Sequence, residues 1–503
     1  MKTIKTIISI AAMAALTIGC TAKFGEYNTD PYAVKSADPA ILMPTMIEAL
    51  MYVQQNDSQM IDQMVGTLGG YFTLSNRWGG QNFDTFNASD SWNANPYETP
   101  FLDIYGNYFE IEKYTSGSGH YYAVATLIKA AAMMRVADCY GPIPYSKVQD
   151  GKMYVAYDSN EEVYNNIIAD LRSAAGVLYS YATENSGKKP LGAQDALYGG
   201  DYLKWSKFAN SLIMRAAMRS GSKEDFVSAY ESPYGYIETN GDNAMMDPKA
   251  QRNPYDLASE SWGDIRVNSS IVDYMNGYSD PRRSRYFSQV GGAYIGMRSG
   301  KAEFDKAVVG PKFSMTNFDE TSKLPVFVAA ESKFLLAEAV LRGWISGDAK
   351  TFYEEGISLS MEQWGVGSGA AAYIADANSV PASHTADPAG FPDYPRQTKV
   401  KIAWDASAGF EGNLEQVITQ KWIANYPMGI EAWSEWRRTG YPELAPVIDN
   451  QSGGVISDNS RGMRRLRYSF NEKSLNKENY PGALQLLGGP DTEATDLFWA
   501  KKK

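Results

Sequence analysis

Histidine and cysteine are nearly absent from this sequence. Its 503 residues include two histidines, His120 and His384, and two cysteines, Cys20 and Cys139. Neither histidine sits in a motif, and the spacings CxxC, HExxH, GxxxxGK[ST] and GxSxG are missing. A zinc site, a Ser-His-Asp arrangement and a P-loop therefore have no support. No catalytic residue, metal ligand or cofactor is expected. A glycosidase, which needs only two carboxylates, stays open on sequence grounds. Positive charge is in deficit, with 47 Lys and Arg against 58 Asp and Glu and a net charge of −11. That balance disfavours nucleic acid and phosphate-rich partners. Low-complexity runs and Pro/Ser linkers are also missing, so nothing divides the chain into separate domains.

What is present is mostly helical. The stretch QKWIANYPMGIEAWSEWRRTGYP, Gln420 to Pro442, organises the reading. Pro427 stops one helix, because its ring lacks an N–H and restricts the residue before it. A second helix starts near Gly429, with Ile430 and Trp433 at helical spacing, Glu431 and Glu435 four apart, and Arg437 and Arg438 in its last turn. Gly440 suits a left-handed C-cap and Pro442 prevents resumption. A hairpin packed through its indoles is expected, with Trp344, Trp364, Trp422, Trp433 and Trp436 in the core.

Three more helical pairs follow from the same periodicity: Tyr97 to Tyr114 with His120 to Cys139, Glu161 to Tyr181 with Leu203 to Arg219, and Glu331 to Trp344 with Ala349 to Trp364. Four hairpins with small residues at the crossings form a tetratricopeptide-like pattern, although no repeat is a clean match. Arg135 should pair with Asp138, and Glu338 with Arg342. The fold class is mainly α, with a large irregular, loop-rich lobe from insertions at 71–96, 230–328 and 377–412. A short helix, Ser269 to Met275, is expected in the second of these.

The first insertion stands out. Eleven aromatics fall between Tyr71 and Phe109, interleaved with Asn, Asp, Ser and Gly. Long irregular loops in compact domains tend to be functional. Sugars lay their C–H faces on Trp or Tyr rings while amides, carboxylates and guanidiniums take the hydroxyls, and extended peptides use similar rings. Asn76, Arg77, Trp78, Gln81 and Asn82 have this composition, with Gly79 and Gly80 allowing close approach. Trp92 is a second candidate, and Trp262 with Asp264 a third. Each tryptophan could instead merely pack its loop onto the body.

Lys2 and Lys5 precede an apolar segment from Ile7 to Ile18, which is too short for a membrane span and fits a signal peptide over residues 1–19. Together with this start, NTDPYA at Asn28 to Ala33, RVADCYGPIPYS at Arg135 to Ser146, AAESKFLLAEAVLRGW at Ala329 to Trp344, the Gln420 to Pro442 stretch and RGMRRLRY at Arg461 to Tyr468, the chain resembles the SusD/RagB family of outer-membrane nutrient-binding lipoproteins, in its divergent branch. The resemblance implies lipidation at Cys20, a tether over 20–39, and one SusD-like body over 40–503. With Cys20 acylated, Cys139 has no disulfide partner and reads as a small buried hydrophobe. It also implies a surface-exposed, lipid-anchored protein that captures an oligosaccharide or oligopeptide and delivers it, as a lid, to a SusC-type TonB-dependent transporter. Such a protein is not an enzyme. A surface glycan hydrolase and a helical-repeat scaffold without a small ligand are the alternatives. The Arg464, Arg465 and Arg467 cluster could contact a partner, but pairing within the chain, with the acidic helices, is the expectation.

Overall fold

The helical pairs form where the periodicity places them. The computed structural model describes residues 38–152 and 154–500, so the leader, Cys20 and nearly all of the tether lie outside the described residues. From Pro39 onward the chain forms one compact unit. Its main helices are α1 (Pro39–Glu48), α2 (Asp90–Thr115), α3 (Gly119–Tyr140), α4 (Asn160–Glu184), α5 (Tyr202–Ser220), α6 (Ser269–Gly277), α7 (Ala329–Leu341), α8 (Ala349–Gln363), α9 (Gly409–Ala424) and α10 (Gly429–Thr439). α2 packs on α3, α3 on α4, α4 on α5, and α7 and α8 on each other and on α9. This is a mainly helical body of tetratricopeptide-like hairpins, as expected.

Local chemistry sets the ends. Ser159 and Glu162 form a reciprocal capping box at the start of α4, and Gly440, with φ 84°, closes α10 in the left-handed conformation. α3 is buried along almost its whole length, because its alanines let α2 and α4 approach closely on either side. Cys139 is buried there, and burial pushes its thiol up to about 12. α2 begins at Asp90, earlier than the periodicity indicates, and carries Pro96 and Pro100 inside it. Trp92 therefore lies in a first helical turn and not in a loop.

The fourth hairpin differs from expectation in its packing. Trp422 donates Nε1–H to the Gly69 carbonyl at 2.8 Å, and Trp433 to that of Met463 at 3.0 Å. The two buried indoles bind these flanking segments. Trp344, Trp364 and Trp436 are half-buried, not core.

Where α3, α5, α7, α9 and α10 meet, the interior is ionic. Arg219 binds Asp138 at 2.5 Å and also engages Glu431 and Glu435. Arg215 binds Glu331 at 2.7 Å, Lys421 binds Glu435 at 3.0 Å, and Arg438 grips Glu338 with two bonds of 2.7 Å. Arg342 pairs with Glu338 as its spacing implies. Arg135 does not pair with Asp138. It reaches Asp62 and the Ala49 carbonyl, while Asp138 takes Arg219 and the Tyr164 hydroxyl. Both are drawn to neighbouring elements, which outweigh a contact along one helix. Arg464, Arg465 and Arg467 pair within the chain, but with Asp496, Asp491 and Asp90 and not with the acidic helices of the core.

The rest of the body is irregular, stitched by two antiparallel ribbons, β1 (Phe72–Leu74) with β3 (Ile265–Val267), and β2 (Ala244–Met246) with β4 (Leu324–Phe327). The loop over 377–412 is fastened by His384, whose ring nitrogens lie 2.9 Å from Asp387 and 3.2 Å from Asp273 on α6, with Arg396 4.0 Å from Asp273. Burial alone would push the imidazole down, but the two carboxylates hold it up at about 9. The stabilisation it contributes is complete below the unfolded histidine value of about 6.5 and is lost as pH rises through about 9. Thermal stability is expected to decline across that window. His384→Gln should remove the slope, and a wild-type profile flat from pH 6.5 to 9 would contradict it.

Candidate functional site

The β1–β3 ribbon brings the candidate residues together. Its register sets Leu74 opposite Ile265, so the segments before β3 and after β1 run side by side. The backbone N–H groups of Ser75 and Asn76 both donate to the Asp264 carbonyl, at 2.8 and 3.2 Å. The Asp264 side chain accepts from Asn76 at 2.9 Å, Gln59 at 3.0 Å and Lys306 at 2.5 Å. Asp264 is buried and fully engaged, so it holds the two segments in place. Trp262 follows a π-helical turn at Leu257–Ser261 and packs half-buried on the core.

Beyond Asn76 the chain turns tightly. Trp78 has φ 38°, a left-handed conformation that is strained for a bulky side chain. The Asn76 side chain supports it by accepting the Trp78 N–H at 3.2 Å, and Gly79 and Gly80 continue at φ 77° and 88°. Arg77 passes beneath, donating Nε–H to the Ala302 carbonyl at 2.8 Å. Its Nη1 is buried without a protein partner. Asn82 is fully buried and accepts from the Thr85 N–H at 3.1 Å, so it serves the loop's internal geometry.

The turn sets Trp78 against Trp92, with ring centroids 5.4 Å apart and planes inclined at 57°. Both indoles are half-buried and rest on the core. Ser89 caps α2 by accepting the Trp92 N–H at 3.4 Å, which fixes the second ring to a rigid element.

The same segments border an open recess of about 520 Å³, lined by Gln81, Ser91, Asn87, Gln451, Arg467 and Glu493 among others. Its walls are mostly amides, hydroxyls and charged groups, with Phe86 and Val455 as apolar patches. Asn87 ties it together, donating to the Gly80 carbonyl and to the Gln451 side chain, both at 3.0 Å. Arg467 lies 3.0 Å from Asp90 and 3.6 Å from Glu493. Asn87, Gln451, Arg467 and Glu493 are lining residues that the sequence reading missed. Asn87 lies within the aromatic-rich stretch and could have been included. Gln451 carries no local signal, and reaches the recess because its N–H binds the Thr85 carbonyl at 2.9 Å.

No group of three or more His, Cys, Asp and Glu side chains among the described residues could hold a metal ion. No described helix is long and apolar enough to cross a membrane.

A family model for SusD-like proteins, described as Susd and RagB outer membrane lipoprotein, matches residues 26–500. Solved structures agree with it. A SusD homolog from Bacteroides uniformis is 38% identical with a TM-score of 0.85, covering 94% of this chain and 100% of its own. A SusD-like protein from Bacteroides thetaiotaomicron is 36% identical with a TM-score of 0.88, covering 93% and 99%. A chitin-binding SusD homolog from Flavobacterium johnsoniae is 33% identical with a TM-score of 0.87, covering 92% and 99%. No curated protein matches the sequence.

Proposed function

The chain belongs to the SusD-like family of outer-membrane lipoproteins, and from that premise we propose that it captures oligosaccharides at the cell surface and passes them, as a lid, to a SusC-type TonB-dependent transporter. Lipidation of Cys20 would hold it at the outer membrane. The observation that carries the ligand class is the inclined Trp78–Trp92 pair, carried by the same segments whose Gln81 and Ser91 line a recess walled by amides, hydroxyls and Arg467. Indole faces bury the C–H faces of a sugar, and planar polar groups pick out its hydroxyls. The similarity to a chitin-binding homolog points the same way. Capture needs no covalent step. Closure of the lid requires only that bound sugar favour the closed state by a few kcal/mol, which differential contacts can supply.

A hydrolase would need a free acid and base facing a substrate. The two carboxylates lining this recess, Asp90 and Glu493, are both engaged by Arg467, which favours binding over catalysis. The test is calorimetric titration of the purified protein with neutral oligosaccharides. Trp78→Ala and Trp92→Ala are each expected to weaken binding about 10- to 30-fold, roughly 1.4–2 kcal/mol. Wild-type affinity in both variants, or shortened product released by the protein alone, would overturn the reading.

A further inference from the structure

A second recess, of about 410 Å³, is bordered by the segment that follows α10. Its walls carry Trp436, Tyr394 and Tyr441, with the carboxylate of Glu415 among them. Trp436 lies in the last turn of α10 and is half-buried. The Arg464 guanidinium lies 6.0 Å from its ring centroid, and Asp496 neutralises that arginine at 2.6 Å. The ring is thus held by an arginine that also lines the recess and is already paired. Tyr394 is held by a 2.7 Å bond from its hydroxyl to Glu443.

The two recesses have a common neighbour. A crevice of about 50 Å³ shares Phe86 with the polar recess, and Trp436, Leu444, Pro446 and Ser460 with the second one. Gly462 marks the crossing. A Cβ on it would lie 3.1 Å from Trp436 Cη2 and 3.7 Å from Phe86 Cζ, so the rings of Phe86 and Trp436 flank the glycine. Phe86 itself has φ 62°, a strained conformation for a non-glycine residue, and it lines the polar recess and the crevice.

Resting on the oligosaccharide reading, we infer that the Trp436 recess is a second saccharide subsite, which takes the further units of a chain whose first units lie at the Trp78–Trp92 pair. The ligand is accordingly an oligomer long enough to cross the Phe86–Gly462 divide, and affinity rises with its length. The volume suits a small number of sugar rings. Tyr441 and Trp436 supply stacking faces, and Glu415 accepts from hydroxyls.

The test is calorimetry with neutral β-linked gluco-, xylo-, manno- and N-acetylgluco-oligosaccharides of two to six units. Wild-type protein is expected to bind six units more tightly than two. Trp436→Ala should lower the affinity for six units about tenfold and narrow the ratio between long and short ligands. Tyr441→Ala, on the rim, should act in the same direction by about threefold and decides the matter if Trp436→Ala fails to fold. Trp78→Ala should weaken every length alike. A wild-type affinity independent of length, or folded Trp436 and Tyr441 variants that keep the wild-type ratio, would overturn the second subsite and leave the first reading standing. Failure of the wild type to bind any of these sugars would overturn both.

Discussion

Arg219→Met is expected to destabilise the protein by about 3–5 kcal/mol, the cost of breaking a buried ion pair from one side. Its guanidinium serves Asp138, Glu431 and Glu435 at once, on α3 and α10, and methionine would leave those carboxylates facing a smaller counter-charge without water. Chemical denaturation of the variant and wild type measures the difference, and a change under about 1 kcal/mol would refute it. The same cluster gives an acid signature. Burial pushes Glu435 up, but Arg438, Lys421 and Arg219 hold its carboxyl well below the ordinary range. For Glu338, too, burial is outweighed, here by Arg438 and Arg342, and its carboxyl ends below that range. A depressed folded value contributes stability that is present above the unfolded glutamate value of about 4.3 and is lost as pH falls. Wild-type stability should therefore drop steeply below about pH 4. The loss in Arg219→Met should be shallower, because fewer paired carboxylates remain to be protonated.

Gly429→Leu is the second large effect. A Cβ at this position, the first residue of α10, would lie 2.3 Å from Gly66 Cα and 2.7 Å from the Gly66 carbonyl oxygen. Backbone, not a flexible side chain, blocks the space, so α10 must move off the segment at 64–69. Overpacking of this kind typically costs about 1–3 kcal/mol and occasionally more, and here the backbone obstacle sets the expectation at about 3 kcal/mol or above. A melting temperature within a few degrees of wild type would contradict this account.

The helical half of the fold was legible because its period repeats over many residues. α4, α5 and α8 lie within a few residues of their expected ends, since one apolar face faces one neighbour throughout. The start of α2 was hidden because residues 71–96 read as one irregular, aromatic-rich loop, while the cap that begins the helix is the single side chain of Ser89. The two ribbons were invisible, because strands of three or four residues carry no alternation to detect.

The candidate site was legible in part. Aromatic density singled out Trp78 and Trp92 from composition alone, but that they face each other depends on a left-handed turn and a helix start. Asn82 and Asp264 share that composition yet are buried, since the same amide and carboxylate chemistry that grips a sugar also grips a loop. Gln451 and Glu493 reach the recess only through contacts distant in sequence. Arg135 and Asp138 show the same limit inside the core, because proximity along a helix loses to stronger partners on other elements.

The pair at Trp78 and Trp92 carries one more consequence. Two indoles 5.4 Å apart at 57° are close enough for their electronic transitions to mix. Such a pair gives an exciton-coupled circular dichroism band that isolated chromophores lack, and its amplitude follows their mutual tilt. If the proposed site holds, a guest settling on the rings would alter that band, and the pair would serve as an unlabelled optical reporter of occupancy, silenced when either tryptophan is removed.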